Sequence, residues 1–191
     1  MKTEIKIIKS FIENKKSKTI REISKIIKSD YKITNVAVQR LIEKKIILAE
    51  PVGKSLLCSL NDNYFGLEVY QAEIERKEFI LKINNIKQLL QEIMDKTKTS
   101  MFVFLLFGSY VKQQQTKNSD IDIMFISNDN KFESDVNEAL SLIPLKIHAL
   151  FFTEEEFIRM KDSKKSNVIK EAIERNIILH NIESYYRLKN A

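Results

Sequence analysis

Seven apolar residues in a row, Met101 to Phe107, run straight into Gly108-Ser109, and a second apolar stretch, Ile121 to Ser127, opens on Asp120-Ile121-Asp122. Uninterrupted apolar runs of this length read as buried strands. A glycine at the end of the first lets the backbone turn sharply. Residues two apart on a strand share a face, so Asp120 and Asp122 point the same way. A third apolar run covers Leu145 to Phe152. Helical spacing is legible at about 109–114, 133–142, 153–161 and 165–176, and again near Glu183 to Leu188. Strands interleaved with helices give this half an α/β or α+β character.

Each part of the Gly-Ser…Asp-x-Asp array has a chemical use. Gly108 admits a close approach by a phosphate. Ser109 stands where a helix would begin, so its hydroxyl and the N–H groups of that first turn can grip an anion. Paired carboxylates beside such a cradle suit a hard cation, Mg²⁺ (or Mn²⁺), which is commonly held by a few carboxylates together with substrate phosphates. The expected ligand is a nucleoside triphosphate, with the metal at Asp120 and Asp122.

Scarcity excludes other devices. The only glycines are Gly53, Gly66 and Gly108, which rules out a Walker A loop and a dinucleotide-binding GxGxxG. Cys58 stands alone in an apolar stretch and reads as core, so a disulfide within the chain and a cysteine zinc site are both out. His148 and His180 are the only histidines and lie too far apart for HExxH. No apolar run is long enough to span a bilayer, and the N-terminus lacks the apolar core of a signal peptide. The expectation is a cytoplasmic protein with no membrane partner.

The N-terminal third is organised differently. Ile5, Ile8, Phe11 and Ile12 recur at helical spacing. Thr19-Ile20-Arg21-Glu22 fits a capping box opening a second helix. Thr34 is placed to cap a third, at about 35–45, burying Val38 and Leu41. Residues 46–50 and 55–60 then read as two strands around a Pro51-Val52-Gly53-Lys54 turn. Residues 1–60 hold 14 Lys and Arg against 6 Asp and Glu, a net of +8 in a chain whose total is +6. A basic domain points to an anionic partner, although a lysine-rich surface can also be merely solvated.

Three short helices and a hairpin, in that order, resemble a winged helix-turn-helix. In that fold the third helix enters the DNA major groove and the hairpin wing touches the backbone. The resemblance implies duplex DNA as a partner, with Lys32, Asn35, Gln39, Arg40 and Lys54 as contacts. The same fold also serves for protein interaction. Residues 64–96 follow with long helical periodicity, as one helix or two, able to bridge two domains and to supply a homodimer face.

Phe107-Gly108-Ser109-Tyr110 and Ser119-Asp120-Ile121-Asp122-Ile123 resemble the signature of the minimal nucleotidyltransferases of the polymerase-beta-like superfamily. The whole order is similar to prokaryotic, especially archaeal, proteins with a winged helix ahead of this domain. The fold implied is α+β: a winged helix at 1–62, a helical connector at 63–97, and at 98–191 a small mixed sheet flanked by helices. The activity implied is Mg²⁺-dependent transfer of a nucleoside monophosphate to a hydroxyl on protein, RNA or a small molecule.

Two positions depart from that pattern. Where relatives carry a small-Arg-Gly step, this chain has Val111-Lys112-Gln113, and Lys112 keeps a positive charge for the phosphates. Active relatives carry a third carboxylate on a later strand. Leu145-Lys146-Ile147-His148-Ala149-Leu150 has none, and Lys146 or His148 takes its face. His148 can serve as a substitute ligand or base, or be an ordinary hydrogen-bonded strand histidine. The departure also supports an alternative, a DNA-binding transcriptional regulator whose nucleotidyltransferase domain senses nucleotide without turnover. A scaffold role for both folds is a third reading.

Overall fold

Isoleucines at helical intervals build the first part of the molecule. In this computed structural model residues 2–112 and 119–191 are described, and they gather into two units, Met1–Glu75 and Arg76–Ala191.

In the first unit, helix α1 (Thr3–Glu13) buries Ile5, Ile8 and Phe11. A two-residue strand β1 (Lys18–Thr19) leads into helix α2 (Ile20–Ile26). The expected capping box is present: Thr19 Oγ1 accepts from the Glu22 N–H, and Glu22 accepts from the Thr19 N–H at 2.7 Å. Helix α3 (Tyr31–Glu43) begins four residues earlier than the Thr34 cap predicts. Asp30 caps it instead, accepting from the N–H groups of Lys32 and Ile33. Thr34 is fully buried inside the helix and donates its hydroxyl to the Asp30 carbonyl. Both residues are good N-caps, and burial of Thr34 against the core settles between them.

Strands β2 (Ile47–Val52) and β3 (Ser55–Leu60) form an antiparallel hairpin, with Val52 opposite Ser55. The connecting loop is therefore only Gly53-Lys54. Its first residue alone has positive φ, +59°, as a type II′ turn requires. Pro51 lies within β2 rather than in the turn. The strand order β1-β3-β2 leaves β2 at an edge, where a missing N–H costs little. Cys58 is fully buried against this core, and burial pushes its thiol up.

The connector periodicity resolves into two helices, α4 (Leu67–Ile80) and α5 (Asn84–Lys96). In the second unit, strands β4 (Val103–Phe107), β5 (Ile121–Ile126), β6 (Ile147–Phe152) and β7 (Ile177–His180) make one mixed sheet in the order β6-β5-β4-β7. β4 is antiparallel to both its neighbours, and β5 is parallel to β6. The parallel pair is joined by helix α6 (Phe132–Ser141), which packs with α5. Helices α7 (Glu154–Asp162), α8 (Val168–Glu174) and α9 (Ile182–Asn190) complete the unit.

The strands alternate as the pleat dictates. Phe104, Leu106, Ile123 and Phe125 share one core with Ile86, Leu89, Val136 and Ala139 of α5 and α6. The rings of Phe104 and Phe125 stack at 4.5 Å. Asp122 and His148, offset by one residue from that set, face the other side of the sheet. The architecture is α+β, with a small mixed sheet flanked by helices. β7 is an addition to the sequence expectation.

Candidate active site

β4 delivers the chain to Gly108 and β5 begins just after Asp120, so the two halves of the array meet through strand pairing. Phe107 lies opposite Asp122 in the β4–β5 register. Gly108 has φ +71°, in the left-handed region. A Cβ placed on Gly108 would sit 2.0 Å from Asp122 Oδ2 and 2.8 Å from its Cγ. The Asp122 carboxylate thus occupies the space that a side chain at 108 would need. Gly108 is required twice here, by its backbone angle and by that carboxylate. Asp120, exposed, stands at the threshold of the same strand.

The parallel β5–β6 register sets His148 beside Asp122. His148 Nδ1 lies 3.3 Å from Asp122 Oδ1, with the histidine side chain 60 % exposed and the aspartate 28 %. Of the two alternatives in the sequence, His148 rather than Lys146 faces the aspartate. Glu154, Glu155 and Glu156 do not reach this place. They follow the far end of β6, where Phe152 pairs with Ile126, and Glu156 is engaged in capping α7 through Thr153.

Among the described residues no three His, Cys, Asp or Glu side chains are already arranged to hold a metal ion. Mg²⁺ does not demand such a cage. It is usually held by one or two carboxylates, with waters and substrate phosphates completing its shell. Asp122, partly exposed against Gly108, and the exposed Asp120 at the start of the same strand fit that requirement.

Residues 108–112 form a turn closed by a bond from the Lys112 N–H to the Gly108 carbonyl, 3.3 Å. The helix expected at about 109–114 is not present over its described part, and Gln113 and Lys117 lie outside the described residues. Ser109 is half-buried in this turn, while Tyr110 packs into the core. The Lys112 ammonium pairs with Glu171 of α8 at 3.2 Å, an exposed ion pair. No local signal could have found Glu171, which is 59 residues away in sequence. Tyr185 and Tyr186 are buried, and the Tyr185 hydroxyl accepts from Asn176, so both are packing residues.

On the first unit, Lys32 and Gln39 are exposed on α3 and Asn35 is half-buried. Helical spacing puts all three on one face. Arg40 is exposed but donates to Glu4 at 3.4 Å, and Lys54 is exposed in the hairpin loop. Ile33 and Val36, each more than half exposed, run along the same surface. At the end of α3, Glu68 accepts from Lys44 at 2.8 Å and from the Tyr64 hydroxyl at 2.6 Å. Those two bonds hold the Glu68 carboxylate down to about 2, while burial and the bond to Glu68 push Tyr64 up to about 12.

With a mixed sheet, a Gly-Ser turn and a carboxylate-bearing strand beside it, the second unit has the parts of a nucleotidyl-transfer domain. Residues 84–184, just over half of the chain, match the family described as polymerase beta, nucleotidyltransferase, and the chain belongs to that family. No curated protein and no solved structure matches it. No helix among the described residues is long and apolar enough to cross a membrane.

Proposed function

We propose that this chain transfers a nucleoside monophosphate from a nucleoside triphosphate to a hydroxyl acceptor, at a divalent-metal site formed by Asp120 and Asp122. The observation that carries this reading is the Asp122 carboxylate seated in the Cβ space of Gly108, which ties the Gly-Ser turn and the acidic strand into one site. In the transfer, the acceptor oxygen bonds to the α-phosphorus and pyrophosphate leaves. Asp120 and Asp122 would hold Mg²⁺, whose chemistry when bound would be to neutralise charge developing in the displacement. Asp120 and Asp122 contribute the negative charge that would hold the ion, Ser109 contributes its hydroxyl to a phosphate oxygen, and Lys112 exchanges Glu171 for a phosphate. That exchange is inexpensive, because an exposed ion pair is worth only about 0–1 kcal/mol.

Residues 1–62 serve as a winged helix-turn-helix that binds duplex DNA, and residues 63–97 connect it to the nucleotidyltransferase domain at 98–191. The net charge of +8 on residues 1–60 supports a polyanionic partner. Lys32, Asn35, Gln39 and Lys54 are its contacts, with Arg40 once released from Glu4. The exposed Ile33 and Val36 equally suit a protein partner or a second copy.

The experiment is transfer of label from α-³²P-labelled nucleoside triphosphates into cell lysate, with Mg²⁺ or Mn²⁺. Label transfer by the wild type, lost in Asp120→Asn and Asp122→Asn, supports the enzyme. A histidine where relatives carry the third carboxylate favours a second reading, a DNA-binding regulator that senses nucleotide without turnover. Nucleotide binding with no transfer under any condition would establish that reading and reject the first.

A further inference from the structure

His148 sets a nitrogen donor 3.3 Å from the Asp122 carboxylate. We propose that His148 is a direct ligand to the divalent ion and that it shifts the site's preference from Mg²⁺ towards first-row transition ions, with Mn²⁺ the mildest of these. The inference rests on reading Asp122 as a metal ligand.

Three observations carry it. First, register and separation fit a shared ion. Neighbouring ligands of one octahedral ion with bonds of about 2.1 Å lie about 3 Å apart, and His148 Nδ1 stands 3.3 Å from Asp122 Oδ1. Second, the imidazole is available. It is 60 % exposed, it lies on the same sheet face as Asp122, and among the described residues its polar partner is Asp122. Third, among the described residues no acidic side chain on β6 competes for the position. β6 carries no carboxylate, and the nearest acidic run along the chain, Glu154 to Glu156, begins beyond the far end of that strand.

Donor type then decides which ion benefits. Mg²⁺ favours oxygen ligands and gains little from a nitrogen donor. First-row transition ions bind imidazole increasingly well from Mn²⁺ towards Cu²⁺. Replacing a carboxylate by an imidazole also removes one negative charge from the site, which weakens Mg²⁺ further. The same substitution that removes a carboxylate for Mg²⁺ sets a nitrogen donor beside Asp122 for a softer ion.

The test uses the full chain and metal alone as the probe. Free Mn²⁺ is followed by electron paramagnetic resonance during titration, with Mg²⁺ added as competitor, for the wild type and for His148→Ala, His148→Asp and Asp122→Asn. Circular dichroism confirms folding, which an exposed strand position should tolerate. Losing an outer-shell partner already costs a metal site about tenfold in affinity, so His148→Ala should weaken Mn²⁺ by at least about tenfold while leaving the Mg²⁺ competition constant nearly unchanged. His148→Asp should narrow the Mn²⁺-over-Mg²⁺ preference, and Asp122→Asn should remove both ions. An unchanged Mn²⁺-to-Mg²⁺ ratio in His148→Ala and His148→Asp, with binding still dependent on Asp122, overturns the role of His148 and leaves the metal site standing. Binding of neither ion by the wild type overturns the inference too, and the label-transfer and nucleotide-binding experiment then decides the underlying reading separately.

Discussion

Replacing Gly108 by alanine separates a structural glycine from one that makes room for chemistry. The new methyl would lie 2.0 Å from Asp122 Oδ2, where ordinary contact begins near 3.4 Å, so the carboxylate must retreat by about 1.4 Å. A displacement of about 1 Å in a reacting group can cost about 100-fold in rate. The backbone adds its own penalty, because an L-residue held at φ +71° loses about 1–2 kcal/mol. For a chain of this size that lowers Tm by about 2–4 °C per kcal/mol. Gly53→Ala is the matched control. It also has positive φ, +59°, but nothing lies within 4 Å of its added Cβ. Both variants should lose a few degrees in a thermal melt. Only Gly108→Ala should lose label transfer, by about 100-fold or more. Full transfer by Gly108→Ala, or an equal loss in both variants, would refute the reasoning that the carboxylate needs that space.

Other outcomes follow from the pairs around the site and in the first unit. Glu171→Gln frees Lys112 for the triphosphate, so nucleotide affinity should rise a few-fold, by about the 0–1 kcal/mol of one exposed pair; weaker binding in an equilibrium titration would contradict that role for Lys112. Glu68 has a folded pKa below its usual value, so its stabilising contribution is present above about 4.5 and is lost as pH falls towards about 2. Chemical unfolding monitored across that window should show the wild type losing stability more steeply than Glu68→Gln. If Lys32 and Lys54 touch phosphates, replacing both by alanine should reduce the slope of log affinity against log salt for duplex DNA by about 2. DNA binding that does not depend on salt would dismiss those contacts.

Local chemistry was legible in the sequence, and contacts made at a distance were not. The Thr19–Glu22 capping box is fixed by residues three apart, and it stands in the structure as read. The start of α3 is ambiguous in the sequence because Asp30 and Thr34 are both competent caps, and only the packing of Thr34 distinguishes them. β7 escaped notice because Ile177–His180 is too short for a two-residue period to stand out. It is a strand because β4 offers it an edge. At the site, the types and spacing of Gly108, Ser109, Asp120 and Asp122 announced a phosphate-and-metal chemistry. The choice between Lys146 and His148 needed the β5–β6 register, and the pairing of Lys112 with Glu171 needed α8 folded against the sheet.

The shared space of Gly108 and Asp122 also binds their histories together. While the aspartate keeps its place, a side chain at 108 must push the carboxylate away. Once the aspartate is replaced by glycine, the steric bar disappears and only the backbone angle speaks for glycine at 108, whereas alanine would still leave a Cβ 3.1 Å from the new atom. A member of this family carrying asparagine or another residue tolerant of that angle in place of Gly108 should therefore hold its second aspartate out of position or have surrendered it. Sequence alone would then mark such a protein as one that has stopped transferring nucleotides, whatever else its fold has been kept for.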